Sequence, residues 1–407
     1  MSYQLQLSLV LGVFVAIITL VSQGVSLFYA LSSAAILIAA IMGLSPAELL
    51  GLVGKVFLDH LTLDVIVAVV VIGWLGALMN ESGSLHQSSK LLQQLVKDFR
   101  VVAAVIPMIV GVLMVPGGAI LSAPSVKLLT GSMNLRPSRQ AAINLVFRHV
   151  GQIAFPASAS LLMLTSMAGV SLARQILYQL PLAVFIGLFA FQYYFASESC
   201  EIQRGPNPRE RLCLLKNLLA EISPILIVLG IFILTQQISL ALGLGTAWAF
   251  IQHRFSFREA LSILQSKSSF ENALLVASTL LIRAILQYQL AKKAFVFPAL
   301  QTSFIPLVIL IAPCLVGFFT GSVMASVSLA TPLLLPLVGT YANLHVFCAL
   351  VFMSAFMGYM VSPIHLCLSL TAKYYNVSLG EIYRDMWMPI GAFLACVIVL
   401  SLLFTAL

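Results

Sequence analysis

Apolar runs of membrane length dominate the chain. Continuous spans fall at about 5–22, 25–43, 64–80, 181–197, 217–236, 237–251, 270–288 and 388–406. Each is near the roughly 17–25 residues that carry a helix across the hydrocarbon core. Two longer runs, 140–169 and 343–372, are broken by Pro156 and Pro363. Two others, 101–133 and 306–338, are interrupted near their middles by small residues and prolines. Their arms, about 12–16 residues each, are short for a crossing. They predict re-entrant hairpins, whose tips are tolerated at membrane depth only where protein or a water-filled cavity covers them. The stretches 47–58, 85–98 and 256–267 are amphipathic and predict interfacial arms joining moving and fixed parts.

The pattern repeats. Pro156 and Pro363 are 207 residues apart, and Val170-Ser171-Leu172 recurs at the same offset as Val377-Ser378-Leu379. Asp64 matches Glu271 at 207, and Pro107-x-x-Val110-Gly111 matches Pro313-x-x-Val316-Gly317 at 206. Ser45-x-x-Glu48 matches Ser256-x-x-Glu259 at 211. The first copy is predicted over 1–200, a cytoplasmic linker over 201–216 and the second copy over 217–407. Each holds five crossings, one of them discontinuous, and one hairpin. Five is odd, so the second copy enters the membrane upside down. The expected fold is an all-α polytopic membrane protein of two inverted repeats, the arrangement in which secondary transporters bind substrate at the repeat interface.

Composition agrees with burial in lipid. Apolar residues make up 61% of the 407 and charged residues 8%, and the mean hydropathy is +1.07. A soluble domain carries about a quarter charged residues. No Lys or Arg precedes Lys55, so residues 5–22 read as a retained first helix rather than a cleaved signal. With the N- and C-termini outside, inside loops hold fourteen basic residues and outside loops four, Lys55, Arg174, Lys292 and Lys293. That is a firm positive-inside bias. It also accounts for the net charge of +8 without nucleic acid. The six Cys and six His show no metal, disulfide or nucleophile spacing, and no phosphate loop is present. Buried apolar filler is the expected role of the cysteines, and neither an enzyme nor a resident cofactor or metal is expected.

Candidate chemistry gathers at the interruptions. The first hairpin tip offers Gly117, Gly118 and Ser122; the second offers Thr320, Ser322 and Thr331. The helix breaks offer Ser158 and Ser362. A helix that stops in mid-membrane leaves carbonyls suited to Na⁺, and one that restarts presents N–H groups suited to an anion. Small residues also serve close helix packing, but their coincidence with two broken helices favours a site. Neither 101–197 nor 272–380 contains an Asp or Glu, yet Arg148 lies just before the first break. Its counterparts in the second copy are uncharged: Arg148-His149 matches Ala355-Phe356. Arg148 is therefore the candidate counter-charge for an anionic substrate. His149, Asn144, Ser354 and His365 are candidates for proton or ion coupling, with Na⁺ as the alternative coupling ion.

The tip sequence Pro116-Gly117-Gly118-Ala119 with Ser122-Ala123-Pro124, the Phe147-Arg148-His149 triplet and the Pro156 break resemble the DUF401 family of prokaryotic integral membrane proteins. That family is grouped with gluconate permeases and divalent-anion/sodium symporters in the ion-transporter superfamily. The resemblance implies a five-helix inverted repeat with two hairpins, a homodimer in the prokaryotic inner membrane and an elevator mechanism. It implies organic-anion transport, and the expected substrate is a carboxylate or sugar acid. The Ser-Asn-Thr signature of dicarboxylate symporters is missing: the tips read Ser122-Ala123-Pro124 and Ala330-Thr331-Pro332. The alternatives weighed are a cation/proton antiporter and a non-transporting membrane scaffold or receptor.

Overall fold

A computed structural model describes residues 3–23, 25–112, 118–131, 133, 135–196, 198, 206–256, 258–259, 262, 267–291, 304–338 and 343–406. The described residues are helical almost throughout and contain no strand. The first copy runs α1 (Tyr3–Ser22), α2 (Leu27–Ile41), α3 (Pro46–Leu58), α4 (His60–Glu81), α5 (Ser84–Leu95), α6 (Phe99–Val112), α7 (Ala119–Gly131), α8 (Pro137–Ile153), α9 (Ala159–Ala168) and α10 (Leu172–Phe195). The second runs α11 (Pro208–Thr235), α12 (Ile238–Gln252), α13 (Lys267–Ala291), α14 (Ile305–Thr320), α15 (Val323–Leu334), α16 (Leu344–Val361), α17 (Leu366–Tyr375) and α18 (Leu379–Ala406). Among them are five helical stretches long and apolar enough to cross a membrane, α16 with α17 counting as one. The chain is a multi-pass membrane protein.

Three helices begin well before the apolar windows that signalled them. α10 starts at Leu172, α11 at Pro208 and α18 at Leu379. Their starts are fixed by polar residues outside the windows. The Ser171 side chain accepts from the Arg174 N–H, and Ser378 and Glu381 bond each other's backbone N–H. Asn207 and Glu210 form a capping box with Pro208 at the first helical position, where its missing N–H costs nothing. Within the expected linker of 201–216, residues 208–216 form the first turns of α11. The amphipathic stretches at 47–58 and 85–98 are α3 and α5; most of 256–267 lies outside the described residues.

Two pairs of helices at matching places in the two halves pack alike. α6 packs on α8, and α14 on α16. At the first crossing Gly111 lies against the Arg148 carbonyl and Gly151 against the Met108 carbonyl. At the second, Gly317 lies against the Ala355 carbonyl and Gly358 against that of Cys314. Glycine at these points lets helix backbones touch, as is usual between membrane helices.

Contacts between the copies are reciprocal. α4 packs on α12 of the second copy and α13 on α2 of the first. Ser239 on α12 bonds Asp64 on α4, and Ser32, its counterpart on α2, bonds Ser278 on α13 at 2.8 Å. α9 packs on α15, and α17 on α7. α10 and α18, which correspond to each other, pack together.

The buried apolar residues form three clusters. The largest joins both hairpins, both broken helices, α10 and α18. A second joins α1 and α2 to α13, and a third joins α4 to α11 and α12. The hairpins and broken helices therefore share one core, flanked by two smaller ones.

Candidate functional site

Two broken helices meet near the middle of the largest core. α8 ends at Ile153 and α9 resumes at Ala159; α16 ends at Val361 and α17 resumes at Leu366. Each break closes with the same turn. The Ser158 N–H donates to the Phe155 carbonyl at 3.0 Å, and the His365 N–H, 207 residues on, donates to the Ser362 carbonyl at 3.2 Å. Pro156 and Pro363 lie within those turns, where a residue without an N–H cannot continue the helical ladder. Ser158 and His365 are thus equivalent N-caps, and the first N–H groups of α9 and α17 open toward the breaks.

Each hairpin tip rests against the broken helix of its own copy. Gly321, with φ of +59°, lies against the backbone of Ile364 inside the second break. Gly118 lies against the guanidinium of Arg148, where an added Cβ would come within 2.7 Å of Nη2 and 2.9 Å of Nη1. Arg148 is 1% exposed. Gly111 of α6 meets its carbonyl and Gly118 at the tip meets its head, so both arms of the hairpin grip it. One helical turn earlier, Asn144 accepts from Ser122 Oγ at 2.6 Å and donates to the Ala119 carbonyl at 2.9 Å. Gln152 donates to the Gly111 carbonyl at 3.0 Å. These bonds fix α8 to both arms of the first hairpin.

His149 and His365 come together across the two copies, with ring centroids 4.8 Å apart. The Nδ1 of His149 lies 2.6 Å from the Leu145 carbonyl. A carbonyl only accepts, so Nδ1 carries the proton and the neutral ring presents a lone pair at Nε2. Nε2 accepts from the Tyr359 hydroxyl at 3.3 Å, and the Tyr359 ring stands 3.8 Å from that of His365. The ligand atoms of His149, His365 and Cys367 all lie within 4.8 Å of one another, and all three residues are buried.

The predicted residues divide into three sets. Gly118, Ser122, Asn144, Arg148 and His149 form one connected group on the first hairpin and α8, which His365 joins from the second copy. Thr320, Ser322 and Ser362 are engaged locally. Thr320 donates to the Val316 carbonyl at 2.6 Å, Ser322 caps α15 and Ser362 donates to the Phe318 carbonyl at 2.6 Å. Ser158, Thr331 and Ser354 have buried hydroxyls with no hydrogen-bond partner among the described residues, as does Ser328. They sit on α9, α15 and α16, three helices in mutual contact. Gly117 lies outside the described residues.

Tyr359 and Cys367 were not among the residues expected at the site. Both flank Pro363, two residues on one side of His365 and six on the other, and a break in a helix is where side chains from both arms converge. That was the available signal. Beside α6, α8 and α10 an apolar groove of about 430 Å³ opens, lined by Met108, Ala154, Phe155 and Gly187 among others. The side chains that line it are apolar and offer nothing to orient an anion.

The profile of the DUF401 family, described as "Protein of unknown function", matches residues 4–404. The fold is similar to the crystal structure of the Alcanivorax borkumensis YdaH transporter, described as having an unusual topology. The TM-score is 0.56 at 14% sequence identity, over 86% of each chain. No curated protein matches the chain.

Proposed function

The chain belongs to the DUF401 family, and from its YdaH-like fold and the two facing breaks we propose that it is a secondary transporter of a small organic anion. The observation that carries this reading is Arg148, buried between both arms of the first hairpin and beside a helix break. An Arg at the membrane centre costs roughly 2.5–3.5 kcal/mol on insertion scales. Its counterpart in the second copy, Ala355, makes the equivalent backbone contact without a charge, so packing does not account for the guanidinium. A carboxylate or sugar acid is the ligand class that fits, bound between Arg148 and the restarting N–H groups of α9 and α17.

The proposal has further parts. The copies are inverted, and the short arms α6, α7, α14 and α15 re-enter rather than cross. Ser158, Ser328, Thr331 and Ser354 supply neutral oxygens for a coupling Na⁺; His149 and His365 are the groups for coupling to H⁺ instead. The hairpins and broken helices, which share one core, move as a unit past the two flanking clusters. That is an elevator motion, and the protein is non-enzymatic.

Uptake of labelled organic anions into proteoliposomes, with Na⁺ or pH gradients imposed, tests the proposal. Arg148→Gln is expected to lower uptake of the accepted anion at least about tenfold, equivalent to roughly 1.4 kcal/mol. Unchanged uptake and affinity would remove Arg148 from the site. Proton-for-cation exchange without anion uptake would mark an antiporter, and ligand binding without translocation a receptor.

A further inference from the structure

His149, His365 and Cys367 bring two imidazoles and one thiol into a single buried cluster, their ligand atoms within 4.8 Å of one another. The set spans both copies, so no spacing along the chain announces it. Two properties separate it from an ordinary buried polar cluster. His149 is bonded as metal-bound histidines are: its Nδ1–H donates to a backbone carbonyl at 2.6 Å, which fixes the tautomer and leaves the lone pair on Nε2. His365 is 1% exposed, and neither of its ring nitrogens has a hydrogen-bond partner among the described residues. A buried imidazole left in that state loses several kcal/mol of hydration unless something occupies it.

We propose that His149, His365 and Cys367 form a binding site for a soft monovalent transition-metal ion of the copper(I) class. Two neutral imidazoles with one thiolate are the donors that soft and borderline metals prefer. Charge selects among those metals. Copper(I) with one thiolate is neutral overall, whereas a divalent ion would leave a net positive charge in the core next to Arg148. Uncompensated charge in such surroundings is expensive. Three ligands about 2.0–2.3 Å from a common centre lie roughly 3.6 Å apart, so the cluster contracts by about 1 Å on loading. His365 is the residue free to make that movement: it caps α17 in the break and has no side-chain hydrogen bond to give up. The Tyr359 hydroxyl, now donating to His149 Nε2, turns away as the metal takes that lone pair. The Cys367 thiol loses its proton to solvent, so loading releases one proton per metal. The site does not depend on what Arg148 binds.

The test uses the full chain, purified in detergent and titrated with copper(I) against a chromophoric copper(I) chelator. One equivalent retained per chain is expected, with one proton released and both nitrogen and sulfur scatterers in the copper X-ray absorption spectrum. Cys367→Ser and His365→Ala should each weaken retention at least about 10–100-fold. Cys348→Ser, a buried cysteine elsewhere on α16, should leave it unchanged. Cys367→Ser nearly preserves side-chain volume, so it carries the test if His365→Ala fails to give monodisperse protein. No retention by the unaltered chain, or retention indifferent to both substitutions, overturns the site. A preference for zinc over copper(I) overturns the monovalent assignment. If the chain holds no metal while both substitutions shift the pH profile of anion uptake, the cluster is a proton relay and the proposal fails.

Discussion

A single methyl group probes the helix crossings. An added Cβ at Gly358 would overlap the Cys314 carbonyl, whereas one at Gly380 meets nothing within 4 Å. Gly358→Ala is therefore expected to destabilise the fold by about 1–3 kcal/mol, seen as a lower unfolding temperature in detergent. Gly380→Ala should be neutral or slightly stabilising. At Arg148 the shape of the side chain matters as well as its charge. Gly118 receives a planar head, and an ammonium is not a substitute for it. Arg148→Lys should recover only part of the uptake lost in Arg148→Gln; full recovery would mean that charge alone suffices. The sequence could single out Arg148 because its cost and its uncharged counterpart, Ala355, can both be read from the residues alone. It could not show that Ser122 is committed to Asn144, or that Thr320 and Ser362 are spent on backbone carbonyls.

Elements were legible wherever hydropathy dominates and less so at their ends. α4 is an instructive case, because its start is set by Asp59, outside the apolar run. Asp59 accepts from the Thr62 hydroxyl and the Thr62 N–H, each at 2.8 Å. Those bonds, the hydroxyl first, hold its carboxyl below the usual value of 3.8. A depressed folded value means the cap contributes at neutral pH and its contribution is lost as pH falls through the folded value. Asp59→Ala should cost about 1 kcal/mol at pH 7. The gap between variant and unaltered chain should narrow in thermal melts at acid pH; a gap that is constant with pH would mean the carboxylate is not what caps α4. Four short helices, α6, α7, α14 and α15, hold 14, 13, 16 and 12 residues. At about 1.5 Å per residue they reach roughly 18–24 Å, less than the hydrocarbon thickness of about 30 Å. Arm length was readable in advance because proline and glycine punctuate it.

At the scale of the molecule, the reciprocal contacts carry a topological prediction. The proposed inversion of the copies requires that cysteines placed at Lys90 and Lys292 react with a membrane-impermeant thiol reagent from opposite faces. Labelling of both from one face would contradict the inversion. The sequence alone determined that the chain lives in lipid and where its helices break, because hydropathy and proline act over a few tens of residues at most. Only the tertiary structure decided which copy each helix packs against, which hydroxyls remain open, and that His149, Tyr359, His365 and Cys367 share one place. Those outcomes depend on contacts between residues about two hundred positions apart, which no local pattern encodes. The cysteine read from the sequence as apolar filler became a candidate ligand only once the second break was folded against the first.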